Sequence, residues 1–239
     1  MTEFTRYAIY YLPPEAEAWA VWCTAWLGWD AVQGKEVAHP VTGLPVAELT
    51  ATPRKYGLHA TLKPPFRLAS DVTRDGLERA CADLAATLAP ATAPALGRAR
   101  LGRFQALCPE GDASQLNALA AHCVRDLDAL RAPPTQAELD RRRARGLGPA
   151  QERNMMEWGY PHVMAQFRFH ITLTGRLHQP LRDDADRLLQ EALAPHLPRP
   201  FRIDAIALVG EAPDGRFHLI RRFALTGKSA APPKRSDRS

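Results

Sequence analysis

From 167 to 174 the chain alternates without a break: Phe167, Phe169, Ile171 and Leu173 are apolar, and Arg168, His170, Thr172 and Thr174 are polar. A period of two predicts a strand with one buried face. The stretch from 56 to 63 repeats the pattern, with Tyr56, Leu58, Ala60 and Leu62 on one face and His59, Thr61 and Lys63 on the other. Runs of aromatic and β-branched residues predict further strands over 6–12, 201–209 and 216–225, the last two joined through Pro213-Asp214-Gly215 as a hairpin. One or two more are expected between 93 and 108. Apolar residues at helical spacing predict helices over 15–27, 75–88, 113–130 and 181–193. Trp19, Trp22 and Trp26 make one aromatic stripe on the first helix, read as core. Thr135-Gln136-Ala137-Glu138 has the form of a capping box and opens a short helix through Arg145. A further helical turn or two is expected over 151–158, while 34–53 reads as loop and Pro64-Pro65 as the end of the first histidine strand.

Strand–helix–strand units thus occur on both sides of the middle. The expected fold is α/β (α+β): two pseudo-symmetric αβ lobes with facing antiparallel sheets and a central cleft, forming one bilobal domain over 1–227. The lobes are placed at about 1–110 and 160–227, with a helical segment over 111–159 between them. Each lobe carries one copy of a four-residue pattern, His59-Ala60-Thr61-Leu62 and His170-Ile171-Thr172-Leu173. By chance about 0.6 His-x-Ser/Thr matches are expected here, and roughly 0.08 when Leu must follow. Facing sheets would bring both polar faces, and so both histidines, to one cleft.

Composition changes this picture little. A 239-residue chain that is 46% hydrophobic and 24% charged can bury a sizeable core. The formal charge of +5 is concentrated in the tail, where Lys228, Lys234, Arg235 and Arg238 outweigh Asp237. The body is left nearly neutral, which does not favour nucleic-acid binding. The tail over 228–239 reads as a disordered basic segment. The four cysteines show no Cys-x-x-Cys spacing, no signal peptide is read at the start, and the longest apolar run, 18–27, is too short to span a membrane. The expectation is a cytoplasmic protein with reduced thiols.

Two imidazoles, each with a hydroxyl two residues on, can do acid–base chemistry on a phosphate. One neutral ring takes a proton from water, and a second, protonated ring gives one to the leaving oxygen. Thr61 and Thr172 can donate to the non-bridging oxygens, where charge accumulates. In these motifs the chain resembles the two-histidine phosphoesterase superfamily, whose signature is a pair of His-x-Thr/Ser motifs on strands of two related lobes. More narrowly, Arg6-Tyr7-Ala8-Ile9-Tyr10-Tyr11, the run from Lys55 to Phe66, Trp158-Gly159-Tyr160-Pro161 and Phe167-Arg168-Phe169-His170 resemble the branch associated with phosphonate metabolism. Leu58 stands where that branch often has an aromatic. The resemblance implies hydrolysis of a cyclic phosphodiester without metal or cofactor, with His59, Thr61, His170 and Thr172 catalytic. The branch implies a small sugar phosphate, such as a ribosyl 1,2-cyclic phosphate.

For contacts to such a substrate the candidates are Arg168, on the His170 face, then Arg54, Lys63, Tyr10 and Tyr160. The Arg141-Arg142-Arg143, Arg145 and Arg153 cluster is interspersed with Glu138, Asp140 and Glu152 and reads as a solvated helix face. His122, His162, His178, His196 and His218 show no metal-ligand spacing. RNA ends bearing a 2′,3′-cyclic phosphate are an alternative substrate, and a non-catalytic phosphate-binding module is an alternative of another class. The segment over 133–151 reads as a lid or as a mere insertion. No membrane partner is expected, and the oligomeric state is not assigned.

Overall fold

The computed structural model describes residues 3–228. In chain order the elements are β1 (Arg6–Tyr11), α1 (Ala18–Leu27), β2 (Trp29–Asp30), β3 (Lys35–Glu36), α2 (Val46–Leu49), α3 (Ala51–Arg54), β4 (Ala60–Phe66), α4 (Arg74–Thr87), β5 (Ala91–Ala93), β6 (Ala95–Leu101), β7 (Phe104–Glu110), α5 (Ser114–Asp126), α6 (Gln136–Arg143), α7 (Pro149–Trp158), β8 (Ile171–Thr172), α8 (Leu181–Leu193), β9 (Phe201–Ile203), β10 (Ala205–Glu211) and β11 (Phe217–Ala224). The mixed α and β architecture with antiparallel strands is the one expected, but where facing sheets were expected the strands of both halves join in one large sheet. Apart from Lys228, the basic tail lies outside the described residues.

Seven strands form that sheet in the order β11-β10-β1-β4-β8-β7-β6. Its two halves meet where β4 pairs antiparallel with β8, at Ala60 opposite Ile171. The halves do not follow the chain. β6 and β7, from the expected first lobe, lie beside β8; β10 and β11, from the expected second lobe, lie beside β1. The lobe limits of 1–110 and 160–227 therefore do not coincide with the halves of the sheet.

One face of the sheet is covered by helices. Ile9, Tyr11, Leu62, Ile171 and Leu173 pack there against Trp19, Trp26, Leu77, Leu119 and Leu189 of α1, α4, α5 and α8. The tryptophan stripe is core, as its spacing predicts, and the Trp26 indole N–H donates to the Leu173 carbonyl at 2.8 Å. That bond ties α1 to the second histidine strand. The opposite face carries a smaller cluster of Ala8, Tyr10, Leu12, Ala207, Val209 and Phe217. Pairs such as Tyr10 and Tyr11 split between the two clusters because successive side chains of a strand point to opposite faces.

Three local readings change. The expected loop over 34–53 contains α2 and runs into α3 at Ala51. β4 does not stop at Pro64-Pro65 but runs through both prolines to Phe66. The register of β1 on β4 slips there: Tyr10 pairs with Thr61, Ile9 with Lys63 and Tyr7 with Phe66. The prolines, which cannot donate to a ladder, sit in the irregular stretch where no donor is needed. The same irregularity rotates Lys63 off the face of Thr61. Its ammonium is buried, donating to the Val124 carbonyl at 2.9 Å and lying 3.4 Å from Asp128. Lys63 is thus a structural cation at the end of α5 and not the substrate contact that strict alternation predicts. Finally, β8 is only two residues long, because Leu173 N–H turns to the Gln105 carbonyl instead of continuing the β4 ladder.

Burial lowers the Lys63 pKa from 10.5 to about 8, against the opposing pull of Asp128. A depressed lysine costs the native state below its folded pKa, so this site's stability deficit is relieved as pH rises from about 8 towards 10.5. The stability of the wild type relative to Lys63→Met should rise through that window, read as the difference in urea midpoints at successive pH values. A constant difference would mean that the buried ammonium does not titrate there.

Candidate active site

The register at the seam builds the site. With Ala60 opposite Ile171 in an antiparallel pair, the next positions set His59 across from Thr172 and Thr61 across from His170. In both motifs the histidine and threonine are half-buried while the alternate residues Ala60, Leu62, Ile171 and Leu173 are buried on the helix side. Two histidines and two hydroxyls therefore share the open face, related by a local two-fold axis through the seam. The histidines lie on its diagonal, a separation of roughly 7–8 Å between Cβ positions in such a lattice.

Each imidazole is oriented in the same way. His59 Nδ1 lies 3.0 Å from the Gly57 carbonyl and His170 Nδ1 2.8 Å from the Arg168 carbonyl, in each case two residues back. A carbonyl oxygen only accepts, so Nδ1 carries the hydrogen in both rings and Nε2 is left for chemistry. The first of these turns requires a glycine. Gly57 has φ of 69°, and a Cβ there would lie 2.8 Å from the Ala31 Cβ.

The surroundings of the two rings differ. His59 lies against Tyr10 at a centroid distance of 4.1 Å and Tyr56 at 5.5 Å, with Phe217 packed against both tyrosines. Burial in this aromatic box, with the nearby charge of His170 adding to it, lowers the His59 pKa from 6.5 to about 4. His170 has one aromatic neighbour, Phe104, at 5.9 Å. Tyr10 is buried, burial pushes its phenol well above the usual tyrosine range, and its Oη has no hydrogen-bond partner among the described residues.

The remaining candidates separate. Tyr10 is brought to His59, as the sequence reading allowed. Tyr160 packs instead against His162 at 5.8 Å, with the Arg142 guanidinium over its ring at 4.5 Å. Arg168 is exposed, and its contribution here is the carbonyl that orients His170. Arg54 is not brought to the site: it donates to the carbonyls of Leu27 and Ala47 and to the Thr50 hydroxyl. It clamps α1 to α2 and is used up structurally. Tyr56 was missed, since strand parity puts it with Leu58, whereas the turn at Gly57 breaks that parity. His162, which shows no metal-ligand spacing in the sequence, has its pKa lowered by partial burial and then by the charges of Arg142 and His170. Among the described residues no group of three or more His, Cys, Asp or Glu is placed to hold a metal ion. No helix there is long and apolar enough to cross a membrane.

Comparison with known proteins adds the following. The family described as "Protein of unknown function (DUF1045)" matches residues 61–218. A protein of Janthinobacterium sp. (strain Marseille) named ribose 1,5-bisphosphate phosphokinase PhnN is 34% identical over 236 residues, 94% of this chain and 51% of that protein. One of the same name from Laribacter hongkongensis (strain HLHK9) is 37% identical over 183 residues, 73% of this chain and 41% of that protein. The chain thus spans about half the length of the curated relatives it matches. Among solved structures, E. coli LigT in apo form superposes with a TM-score of 0.45 at 17% identity, covering 94% of this chain and 99% of that one.

The depressed pKa of His59 makes stability depend on pH at this site. An unfolded chain takes up a proton there near 6.5, while the folded ring refuses it until about 4. Native stability from this group is complete above the unfolded value and is lost as pH falls through that window. The His59 ring protons should titrate near pH 4 in NMR spectra, and His59→Asn should lose less stability than the wild type between pH 7 and pH 5. A midpoint near the ordinary value would show that the ring is open to solvent.

Proposed function

The chain belongs to the DUF1045 family, and from that premise and the paired motifs we propose that it is a phosphodiesterase that hydrolyses a cyclic phosphodiester of a small phosphorylated molecule. The observation that carries this reading is the seam register, which sets His59, Thr172, Thr61 and His170 around one point on the open face. A phosphorus atom at that point has a free Nε2 on either side and a hydroxyl beside each.

In this mechanism His59 is the base, because its aromatic surroundings hold it neutral. It accepts a proton from water as the water oxygen attacks phosphorus. The bond from phosphorus to one ring oxygen breaks on the opposite side, and His170 delivers a proton to that oxygen. The ring opens to a phosphate monoester and a free hydroxyl, and exchange with solvent restores both histidines. Thr61 and Thr172 donate to the non-bridging oxygens as charge builds on them. Tyr10 fixes the plane of the His59 ring. Both proton transfers are made by imidazoles, so the scheme calls on no metal and no cofactor.

The name of the longer relatives supports a ribose phosphate as the body of the substrate, and the resemblance to the phosphonate-associated two-histidine enzymes supports a ribosyl 1,2-cyclic phosphate. The named kinase activity is a property of proteins about twice this length. The His–Thr pairs equip this half for hydrolysis.

Replacing either histidine by alanine should lower kcat/KM by about 10²–10⁴-fold, the usual contribution of a general acid or base. The assay is hydrolysis of ribose 1,2-cyclic phosphate and 2′,3′-cyclic nucleotides with chelator present. The acid limb of the kcat/KM profile should lie near the His59 pKa of about 4 and not near 6.5. Turnover indifferent to both substitutions would sink the assignment, and preference for the 2′,3′-cyclic nucleotides would move the substrate to RNA ends.

A further inference from the structure

At the Phe66 end of β4 lies a small open cleft whose walls include Arg6, Arg67, Arg131 and Arg142, with Glu138 the acidic residue among them. Three of these arginines are already neutralised. Arg6 grips Glu211 through two bonds of 2.5 and 2.7 Å, Arg67 pairs with Glu138 at 2.8 Å, and Arg131 pairs with Asp128 at 2.9 Å. Arg142 is different. Among the described residues it forms no ion pair, and its Nε is buried without a hydrogen-bond partner. Its guanidinium is held over the Tyr160 ring at 4.5 Å. The neighbouring Arg143, by contrast, pairs with Glu152 on the outer side of α6. Of the arginine cluster on this helix, one member is therefore turned inward as an uncompensated cation.

Strand β1 carries both Arg6 of the cleft wall and the Tyr10 that packs on His59. Tyr10, stacked on His59, is close enough to Arg6, Tyr56 and Tyr160 for each to act on its phenol. His162 lies against Tyr160 at 5.8 Å and feels both Arg142 and His170. Two buried donors lack acceptors among the described residues, Tyr10 Oη beside His59 and Arg142 Nε beside Tyr160. A buried unsatisfied donor is uncommon and calls for an acceptor that arrives with a ligand or solvent. An uncompensated guanidinium beside one calls for an anion, and a phosphate oxygen answers both.

We propose that this cleft seats a second anionic group of the substrate, a phosphate monoester on the same small molecule whose cyclic diester lies at the histidines, with Arg142 as its charge partner. The proposal rests on the phosphodiesterase reading and narrows it: the substrate carries two phosphorus centres, one to be opened and one to be held. It also gives α6 a task, as the arm that brings the cation to the cleft, and so decides between a lid and an idle insertion.

The test compares ribose 1,2-cyclic phosphate with and without a phosphate on its 5-hydroxyl, and a dinucleotide ending in a 2′,3′-cyclic phosphate. The wild type should favour the 5-phosphorylated sugar in kcat/KM. Arg142→Gln should cut that preference by about 10–100-fold, and Arg142→Lys should restore part of it, as expected for a hydrogen bond to a charged group. Binding is read separately by calorimetry with inorganic phosphate, on a His59→Asn/His170→Asn variant that cannot use the catalytic point. Phosphate binding that persists in this variant and disappears on adding Arg142→Gln upholds the seat even if no cyclic ester is turned over, an outcome that would defeat only the phosphodiesterase reading. Phosphate binding or substrate preference indifferent to Arg142 overturns the seat. A loss confined to the dinucleotide overturns it too, assigning Arg142 to an RNA backbone.

Discussion

The antiparallel contact of Ala60 with Ile171 is the constraint on which the site depends. Pairing in a sheet has a side-chain period of two, so a slip of one residue would turn either motif towards the helices. The register is enforced from below. Ala60, Leu62, Ile171 and Leu173 are all fully buried against the helix layer, and a slip would put His59 or His170 there instead. Burying an imidazole in an apolar core without partners costs far more than the few hydrogen bonds of this short ladder return. The hydrophobic alternation that makes each strand thus also fixes the arrangement of the four motif side chains, which explains how a β8 of only two residues can hold half of the candidate site.

Symmetry of the backbone with asymmetry of the environment is the second feature. Both histidines turn Nδ1 to a carbonyl two residues back and present Nε2 outward. What differs is what lies beside them. β1 supplies Tyr10 next to His59, while β7 brings Ala106 opposite Thr172 and Phe104 at a distance from His170. The closer aromatic packing removes water from one ring and leaves the other half-open. Two identical groups thereby meet different surroundings, and those of His59 hold its ring neutral.

Much of this was legible in the chain. The strict alternation around His59 and His170 gave the strands, the inward apolar face and the four polar residues of the motifs. The tryptophan stripe and the Thr135–Glu138 capping box also appear as read, the latter with both reciprocal bonds. What was not legible depended on breaks in periodicity or on contacts distant in sequence. Lys63 obeys strand parity on paper, but the slipped pairing of β1 with β4 turns it into the core beside Asp128. Arg54 flanks a motif in sequence, yet three acceptors on neighbouring helices claim its guanidinium. Tyr56 joins the site because Gly57 takes a left-handed conformation and resets the parity. Arg142 carries no periodic mark that distinguishes it from Arg141 or Arg143. Only the packing of α6 does.

That packing bears on how charge is distributed over the open face. Arginines beside the candidate site would, if all uncompensated, repel a protonated histidine. Instead Arg6, Arg67 and Arg131 are each matched to a carboxylate close by. They shape the cleft walls with rigid, planar groups while adding little net charge. Of the four arginines that line the cleft, Arg142 on α6 is the one without an ion pair among the described residues. α6 buries Leu139 and is anchored by the Arg67–Glu138 pair, whose own strength shows in a Glu138 pKa lowered to about 2, chiefly by its bond to Arg67. The same carboxylate caps the helix through Thr135. A single glutamate therefore both fixes the start of the helix that carries Arg142 and neutralises Arg67 in the cleft wall.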